Sequence, residues 1–389
     1  MTNKAGSEKQ RAQERREAIR REDRARTREL QSLYDTWVNK NPGAAAVFTD
    51  VTKEILSDAG LTFDSVNARV KSFHSFRQKA LRREPNGEYS YADPWHEIHD
   101  LVGVRVTTYH STEIPDIVEA LDEELTVLRR IDKTAETRIS GQLGYGSHHL
   151  ICRVDENSPT ELSPYEGLLF EVQVRTVLQH AWAEFEHDIR YKSSGQHSDP
   201  RINRAFALAA GLIELADQQF DQVAQILEES RQPHRTGSVE PDVVATQESR
   251  REITDSIELT EEMLPGVLTL LLPKAPRSKS EHYPWLEELL SLNGINTFGQ
   301  LRELVQQDKI AELEKAMRYK FTPGHVRIVD DLLLATFGQD HIDRTETTGD
   351  HQKRRKTRLR VRFNQLKKAG LNPLSLGHGD DPAGDDPSS

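Results

Sequence analysis

The sequence predicts an α+β protein: a β-sheet flanked by helices, followed by a separate all-α region. Three observations carry this. Residues 170–175 alternate, with Phe170, Val172 and Val174 on one face and Glu171, Gln173 and Arg175 on the other. That is the period of a strand with one buried face. Residues 101–106 repeat the theme with Leu101, Val102, Val104 and Val106. From residue 250 to 338 apolar residues recur only at helical spacing.

The chain has 389 residues, enough for two or more domains at ~150 residues each. Its net charge is −11, which argues against nucleic-acid binding by bulk charge, although basic runs exist locally. The single cysteine, Cys152, excludes an intrachain disulfide framework and a cysteine-rich zinc site, and suits a reducing cytoplasm. No apolar run approaches the ~18 residues a membrane span needs. The charged N-terminus lacks the apolar core of a secretion signal. The expectation is a cytoplasmic protein without membrane contact.

Residues 1–29 carry eight arginines between Arg11 and Arg28, interleaved with acids and almost free of large apolar groups. This composition predicts a solvated or frayed helix, or a flexible, disordered segment, and the interleaved acids weaken the reading as an RNA-binding arm. Order is expected from Leu30–Trp37 onward. Ala44–Leu61 reads as an amphipathic helix with Phe48, Val51, Ile55 and Leu56 inward and Gly60 as its stop. In residues 66–83, Arg69, Lys71, Lys79 and Arg82 surround Ser72 and Ser75. Ser75 is a candidate N-cap for a helix running to Arg83. A helix start flanked by cations suits phosphate, while a solvated basic face explains the same residues.

Asp100 precedes the strand at 101–106, which carries Arg105. His99–Asp100 invites a metal-phosphohydrolase reading, but such a site needs further ligands from several helices, and here the pair leads into a strand. Ile114–Leu125 is a helix. Gly144-Tyr145-Gly146 permits a tight turn that presents the tyrosine ring near Ser147 and His149. A presented ring suits base stacking; a packed hairpin tyrosine is the plainer alternative. After the strand at 170–175, Thr176 is the expected cap of a helix. Leu178, Trp182, Phe185 and Ile189 form its core face, and His180, Glu184, His187 and Tyr191 a polar stripe.

Arg201–Glu229 is a long helix with Phe206, Ala209, Leu212, Ile213, Ala216, Phe220 and Val223 expected inside. Residues 230–249 read as a linker. A helical domain follows over 250–340, with helices at Ile253–Met263, Tyr283–Leu292, Phe298–Gln306, Ile310–Tyr319 and Pro323–Phe337. The turn at Gly294 resembles that of helix-hairpin-helix modules, over one short motif. Residues 341–389 are basic, then acidic. Lys353–Lys368 lacks any acid, and the segment is expected to be a disordered tail, solvated, paired internally, or touching RNA or an acidic partner.

Taken together, residues 66–192 resemble the synthetase domain of the RelA/SpoT family of alarmone synthetases. The ordered motifs are Arg69-x-Lys71 with Ser75 and Lys79; Asp100-Leu-Val-Gly103-Val-Arg105; Gly144-Tyr145-x-Ser147-x-His149; Glu171-Val-Gln173-Val-Arg175-Thr176; and Ala181-Trp182-Ala183 with His187 and Tyr191-Lys192. Each alone is weak; five in order are specific. The resemblance extends over about residues 30–229, is greatest to the small stand-alone synthetases, and does not cover 250–389. It implies a mixed, nucleotidyltransferase-like sheet of about five strands.

It also implies transfer of the β,γ-pyrophosphate of ATP to the 3′-hydroxyl of GDP or GTP, with Mg²⁺. By the resemblance Asp100 and Glu171 hold the metal, and Glu171 assists deprotonation. Lys71, Ser75 and Lys79 hold the ATP phosphates, with Lys79 also stabilising developing charge. Arg69 and Arg105 sandwich adenine. Tyr145 stacks on the acceptor base, Ser147 and His149 lie near the acceptor, and Gln173 and Arg175 shape the site floor. Hard oxygen ligands are what Mg²⁺ prefers, and guanidinium planes stack well. Two departures concern the acceptor: Lys133–Leu143 lacks the Lys-Pro-Asn-type lead-in of many members, and Gly146 stands where many carry a larger residue. Transfer to the 3′-end of tRNA, a catalytically silent nucleotide sensor and a plain helical interaction protein are the alternatives. A homo-oligomer, and an RNA or protein partner at the C-terminal region, remain compatible with the sequence. The helical region is expected to regulate the synthetase.

Overall fold

The structure, a computed structural model, describes residues 2–133, 147–192, 200–231, 255–349 and 352–371. Its strands are β1 (Ser65–Val70), β2 (Val102–Thr108), β3 (Thr126–Asp132), β4 (His148–Arg153) and β5 (Leu169–Thr176). They form one sheet in the order β1-β2-β5-β4-β3. The β2–β5 pair is parallel and the others antiparallel, so the sheet is mixed. The described residues divide into two compact units. The first takes its residues from 1–53, 63–114 and 121–225, and the second from 54–62, 115–120 and 226–389.

In the first unit, α1 (Thr2–Lys40), α2 (Ala44–Asp58), α3 (Phe73–Ala80), α4 (Pro94–Glu97), α5 (Ile114–Glu124), α6 (Val177–Lys192) and α7 (Pro200–Arg231) accompany the sheet in whole or in part. Val104, Val106, Val172 and Val174 are fully buried, or nearly so, on one sheet face. Phe48 of α2 packs edge-on against Phe170, with ring centroids 4.9 Å apart. The opposite face carries Glu171, Gln173 and Arg175. The β2–β5 register sets Gly103 beside Glu171, Arg105 beside Gln173 and Thr107 beside Arg175.

Three expectations are corrected here. The charged N-terminal segment takes the helical alternative, as the start of the long helix α1, but it is not simply solvated: Glu22, Asp23 and Arg26 within it bind Arg83, Tyr89, Tyr91 and Ala92. The cap of α3 is Ser72, whose hydroxyl oxygen accepts from the Ser75 N–H at 3.3 Å, and the helix stops at Ala80. Leu212, Phe220 and Val223 of α7, expected inside, are exposed, as is Phe185 of α6. The rotation of α7 follows its carboxylates: Asp217 accepts from the Thr176 hydroxyl at 2.8 Å, and Asp221 from the Ser111 N–H at 2.9 Å. Turning the apolar stripe inward would break both bonds. Thr176 does cap α6, through a reciprocal pair with Gln179 at 3.0 and 3.1 Å.

The second unit is helical: α8 (Leu264–Leu271), α9 (Tyr283–Leu292), α10 (Phe298–Leu304), α11 (Gln307–Met317), α12 (His325–Phe337), α13 (Gln339–Thr345) and α14 (Gln352–Lys368). No helix runs through Ile257–Thr260; Glu258 instead bridges to Thr297, with the Leu259 N–H donating to Asn296 at 2.9 Å. Gly294 makes the turn between α9 and α10 at φ 76°, a left-handed conformation that favours glycine.

The basic run expected to be a disordered tail is helix α14. Its guanidiniums sit among carboxylates the sequence scatters widely. Arg355 binds Asp330 at 2.6 Å, and Arg362 binds Asp330 at 2.7 Å and Asp331 at 2.8 Å. Arg358 binds Glu54 at 2.8 Å, and Arg327 of α12 binds Asp58 at 3.0 Å and Asp331 at 2.7 Å. Glu54 and Asp58, in the last turns of α2, belong to this unit. Deleting residues 240–389 to test regulation would therefore strip these two carboxylates of their partners.

Acidification should weaken this unit in two stages. Burial, then Arg277, lowers the His325 pKa to about 4. The unfolded chain, with histidine near ~6.5, binds more protons between these values, so stability falls as pH drops through that window. Burial alone would raise the Asp58 pKa, but Arg358, Arg362 and Arg327 outweigh it and hold it at about 2. Its contribution is present above the ordinary carboxylate range and is lost as pH falls towards 2. Thermal unfolding followed stepwise from pH 7 to 2.5 should show both declines; a flat Tm from pH 6.5 to 4 would remove His325 from the account.

Candidate active site

One cavity of about 180 Å³ opens on the polar face of the sheet, lined by Arg69, Lys71, Asp100, Arg105, Glu171 and Gln173, with Asn67, Gly103 and Glu184. Adjacent strands deliver these side chains. Arg69, next to last in β1, pairs opposite Gly103, Asp100 precedes β2, and Glu171 and Gln173 come from β5. Lys71 follows β1 and donates its N–H to the Leu101 carbonyl at 2.8 Å.

Asp100 is gripped by two cations, Lys71 at 2.8 Å and Lys79 of α3 at 3.1 Å. Burial opposes its ionisation, but the Lys71 hydrogen bond and the Lys79 charge prevail and keep the carboxyl below its usual range. Glu171 is buried, and the His149 Nδ1 lies 2.7 Å from one of its oxygens. Gln173 donates to the other at 2.9 Å. Burial would raise its pKa too; these hydrogen bonds, led by His149, lower it. The Ser147 hydroxyl meets the His149 Nε2, so Ser147, His149, Glu171 and Gln173 form one connected chain. Both carboxylates are ionised at neutral pH, on one cavity wall.

Arg175 is largely buried, and burial followed by the Arg105 charge lowers its pKa. It stays cationic. Five cations, Arg69, Lys71, Lys79, Arg105 and Arg175, thus meet Asp100, Glu171 and Glu184, a positive surplus that suits a polyphosphate. Among the described residues no cluster of three or more His, Cys, Asp or Glu could hold a metal. Two carboxylates with open coordination otherwise filled by phosphate oxygens are nonetheless a common Mg²⁺ arrangement. Asp100 and Glu171 fit that donor set.

The structure thus brings Arg69, Lys71, Lys79, Asp100, Ser147, His149, Glu171, Gln173, Arg105 and Arg175 to one region. Ser75 lies in the first turn of α3, hydroxyl to hydroxyl with Ser72 at 3.1 Å, and does not line the cavity. Tyr145 lies outside the described residues. Sequence reasoning missed two partners of Arg105: its guanidinium meets His180 at 3.2 Å and Glu184 at 2.9 Å. The signal was the polar i,i+4 stripe of α6, whose destination the sequence does not reveal. His99, weighed in the sequence only as half of a metal-phosphohydrolase pair, also belongs to this region. It sits among Lys79, Glu171 and Asp100, and burial and Lys79 lower its pKa.

The family model for a region found in RelA / SpoT proteins matches residues 68–196. The GTP pyrophosphokinase YjbM of Bacillus subtilis (strain 168) is 31% identical over 157 residues, 38% of this chain and 68% of YjbM. The chain belongs to the RelA/SpoT family. A second relative, the GTP pyrophosphokinase YwaC of the same organism, is 30% identical over 131 residues, 33% of this chain and 59% of YwaC. The match thus spans less than two thirds of YwaC and just over two thirds of YjbM. Among solved structures, the chain is similar to the small alarmone synthetase 1 from Bacillus subtilis, with TM-score 0.40 and 22% identity, covering 51% of this chain and 99% of that one. A GTP pyrophosphokinase family protein from Streptococcus pneumoniae gives TM-score 0.40 and 22% identity over 52% and 96%. Of the motif residues, Arg69, Lys71, Asp100, Gly103, Arg105, Glu171 and Gln173 line the cavity. The second unit lies outside the matched residues, apart from the segment 115–120.

Proposed function

We propose that this protein is a (p)ppGpp synthetase, transferring the β,γ-pyrophosphate of ATP to the 3′-hydroxyl of GDP or GTP. The observation that carries this reading is the meeting of the Lys71–Asp100–Lys79 cluster with Glu171 in one cavity of a RelA/SpoT family member whose curated relatives are GTP pyrophosphokinases. The 3′-oxygen attacks the β-phosphorus of ATP, the bond from that phosphorus to the α–β bridging oxygen breaks, and AMP leaves. The hydroxyl proton passes towards Glu171 and on to solvent.

Each residue's role follows from its chemistry. Lys71 and Lys79 hold the phosphates and offset charge as the bond breaks. Ser75 lies on the same helix as Lys79, one turn before it, where a hydroxyl can reach a phosphate in the bound state. Arg69 and Arg105 flank the adenine, and Glu184 and His180 hold Arg105 at that station. Asp100 and Glu171 are the candidate Mg²⁺ ligands; the ion would supply charge neutralisation at the phosphate oxygens. His149 and Gln173 keep the Glu171 carboxylate ionised and oriented. Ser147 fixes the imidazole from its far side. Arg175 supplies positive charge at the acceptor end, and Tyr145 is assigned the acceptor base by its motif. No helix of the described residues is long and apolar enough to cross a membrane; we assign the protein to the cytoplasm, where its nucleotide substrates are.

The test is a product assay. Purified protein with Mg²⁺ and γ-labelled ATP is offered GDP, GTP, GMP and bulk tRNA separately. Label is expected in a guanosine product from GDP or GTP. Label in tRNA alone would overturn the acceptor assignment, and no transfer to any of them would overturn the activity.

A further inference from the structure

Two residues, Lys71 and Ser72, join the end of β1 to the start of α3. The direction of the Lys71 side chain depends on how this short turn is held. Its N–H is tied to the sheet through the Leu101 carbonyl at 2.8 Å. Its carbonyl is tied to a different element. The Tyr34 hydroxyl of α1 donates to it at 2.9 Å. The Tyr34 ring packs on the helix that follows, with centroids 5.4 Å from Phe73 and 6.3 Å from Phe76. Leu30, one turn earlier, is buried with Phe76, Ala80, Ile98 and Leu101.

A second bracket lies two turns back on α1. Arg26 donates to the carbonyls of Tyr91 and Ala92. Its guanidinium lies 4.0 Å from the Tyr89 ring centroid, and that of Arg83 lies 3.7 Å from it. The Tyr89 hydroxyl donates to Asp23 at 2.6 Å; burial, then this bond, raises its pKa to about 12. The Tyr91 ring in turn lies 5.9 Å from the Lys79 ammonium. Both lysines that grip Asp100 are thus backed by the same helix, whose Asp23–Arg26 stretch composition alone suggested was solvated.

We propose that α1, from Asp23 to Tyr34, is a positioning element for the phosphate-binding lysines, with Tyr34 acting directly on Lys71 through its main-chain carbonyl. This rests on the reading that Lys71 and Lys79 hold the phosphates of ATP. Tyr34 touches no reacting atom. It fixes the peptide plane from which Lys71 projects, so that the ammonium reaches the phosphates without first ordering the turn, a gain through preorganisation.

The test compares the full-length protein with Tyr34→Phe, which removes the hydroxyl and keeps the ring packing. A fluorescent, non-hydrolysable ATP analogue reads binding, and the product assay reads turnover. Loss of one hydrogen bond that orders the site is expected to weaken analogue binding and kcat/KM for ATP about fivefold. The KM for the guanosine acceptor should not change. In a Lys71→Ala background, Tyr34→Phe should weaken binding no further, because its route to the ligand is gone. A merely structural role would move Tm and both substrates together, and its effect would persist without Lys71. Either result, or unchanged ATP kinetics and binding in Tyr34→Phe, overturns the proposal. Failure of the wild-type protein to bind the analogue or to transfer label would instead overturn the functional reading beneath it.

Discussion

Glu171→Gln is expected to abolish pyrophosphate transfer, on the order of 10³-fold or more in kcat, while the protein stays folded. The size follows from the two roles proposed for one carboxylate, a general base for the attacking hydroxyl and a charged oxygen for the metal. Folding should survive because glutamine is nearly isosteric. One of its termini still meets His149, and Gln173 can rotate its amide to present oxygen where it now presents nitrogen. Circular dichroism and Tm should match the parent, with the product assay near its blank. Substantial remaining turnover in a well-folded variant would remove Glu171 from the chemistry and leave it an orienting role. The comparison is sharper with His149 intact, because that imidazole loses no partner in the exchange.

Arg362→Met is expected to be the most destabilising single change in the second unit, by about 3–5 kcal/mol. Four carboxylates, Glu54, Asp58, Asp330 and Asp331, face four guanidiniums, Arg327, Arg355, Arg358 and Arg362, in largely buried positions. Arg362 is the one that binds both aspartates of α12, and it lies 3.9 Å from Asp58 as well. Burial opposes its charge, yet the surrounding aspartates raise its pKa well above the ordinary value. Methionine fills the volume but leaves four carboxylates against three guanidiniums, and an unpaired buried charge costs far more than a surface pair gains. Equilibrium denaturation of the full-length protein would register the change. A loss below ~1 kcal/mol would mean that the site relaxes or admits water. Adding Asp331→Asn to Arg362→Met should recover part of the loss, since it restores the balance of charge.

Much of the cavity wall was legible in the sequence because its logic is local. Alternation at 170–175 put Glu171, Gln173 and Arg175 on one face whatever the fold around them, since successive strand residues point to opposite sides. The apolar run at 101–106 and the cap at Thr176 are equally local, and the structure keeps both. The cap of α3 was misassigned by one turn because Ser72 and Ser75 offer the same hydroxyl, and only the helix's actual start separates them. The inner face of α7 was misjudged because apolar spacing does not show which face Asp217 and Asp221 bind through, and those two aspartates set the rotation.

What periodicity could not supply was the choice of partner across long stretches of chain. Arg105 finds Glu184, Tyr34 finds the carbonyl of Lys71, and Arg358 finds Glu54. Nothing in the spacing of either member announces the other. A run of arginines looks the same to composition whether it faces water or a buried set of carboxylates, and for that reason α14 was read as a disordered tail and the first half of α1 as solvated. Backbone geometry repeats every two or 3.6 residues and so leaves its mark along the chain. Coulomb attraction and close packing act between whatever the fold brings within a few ångströms, so the charged centre of the second unit and the bracing of the lysine turn exist only in three dimensions.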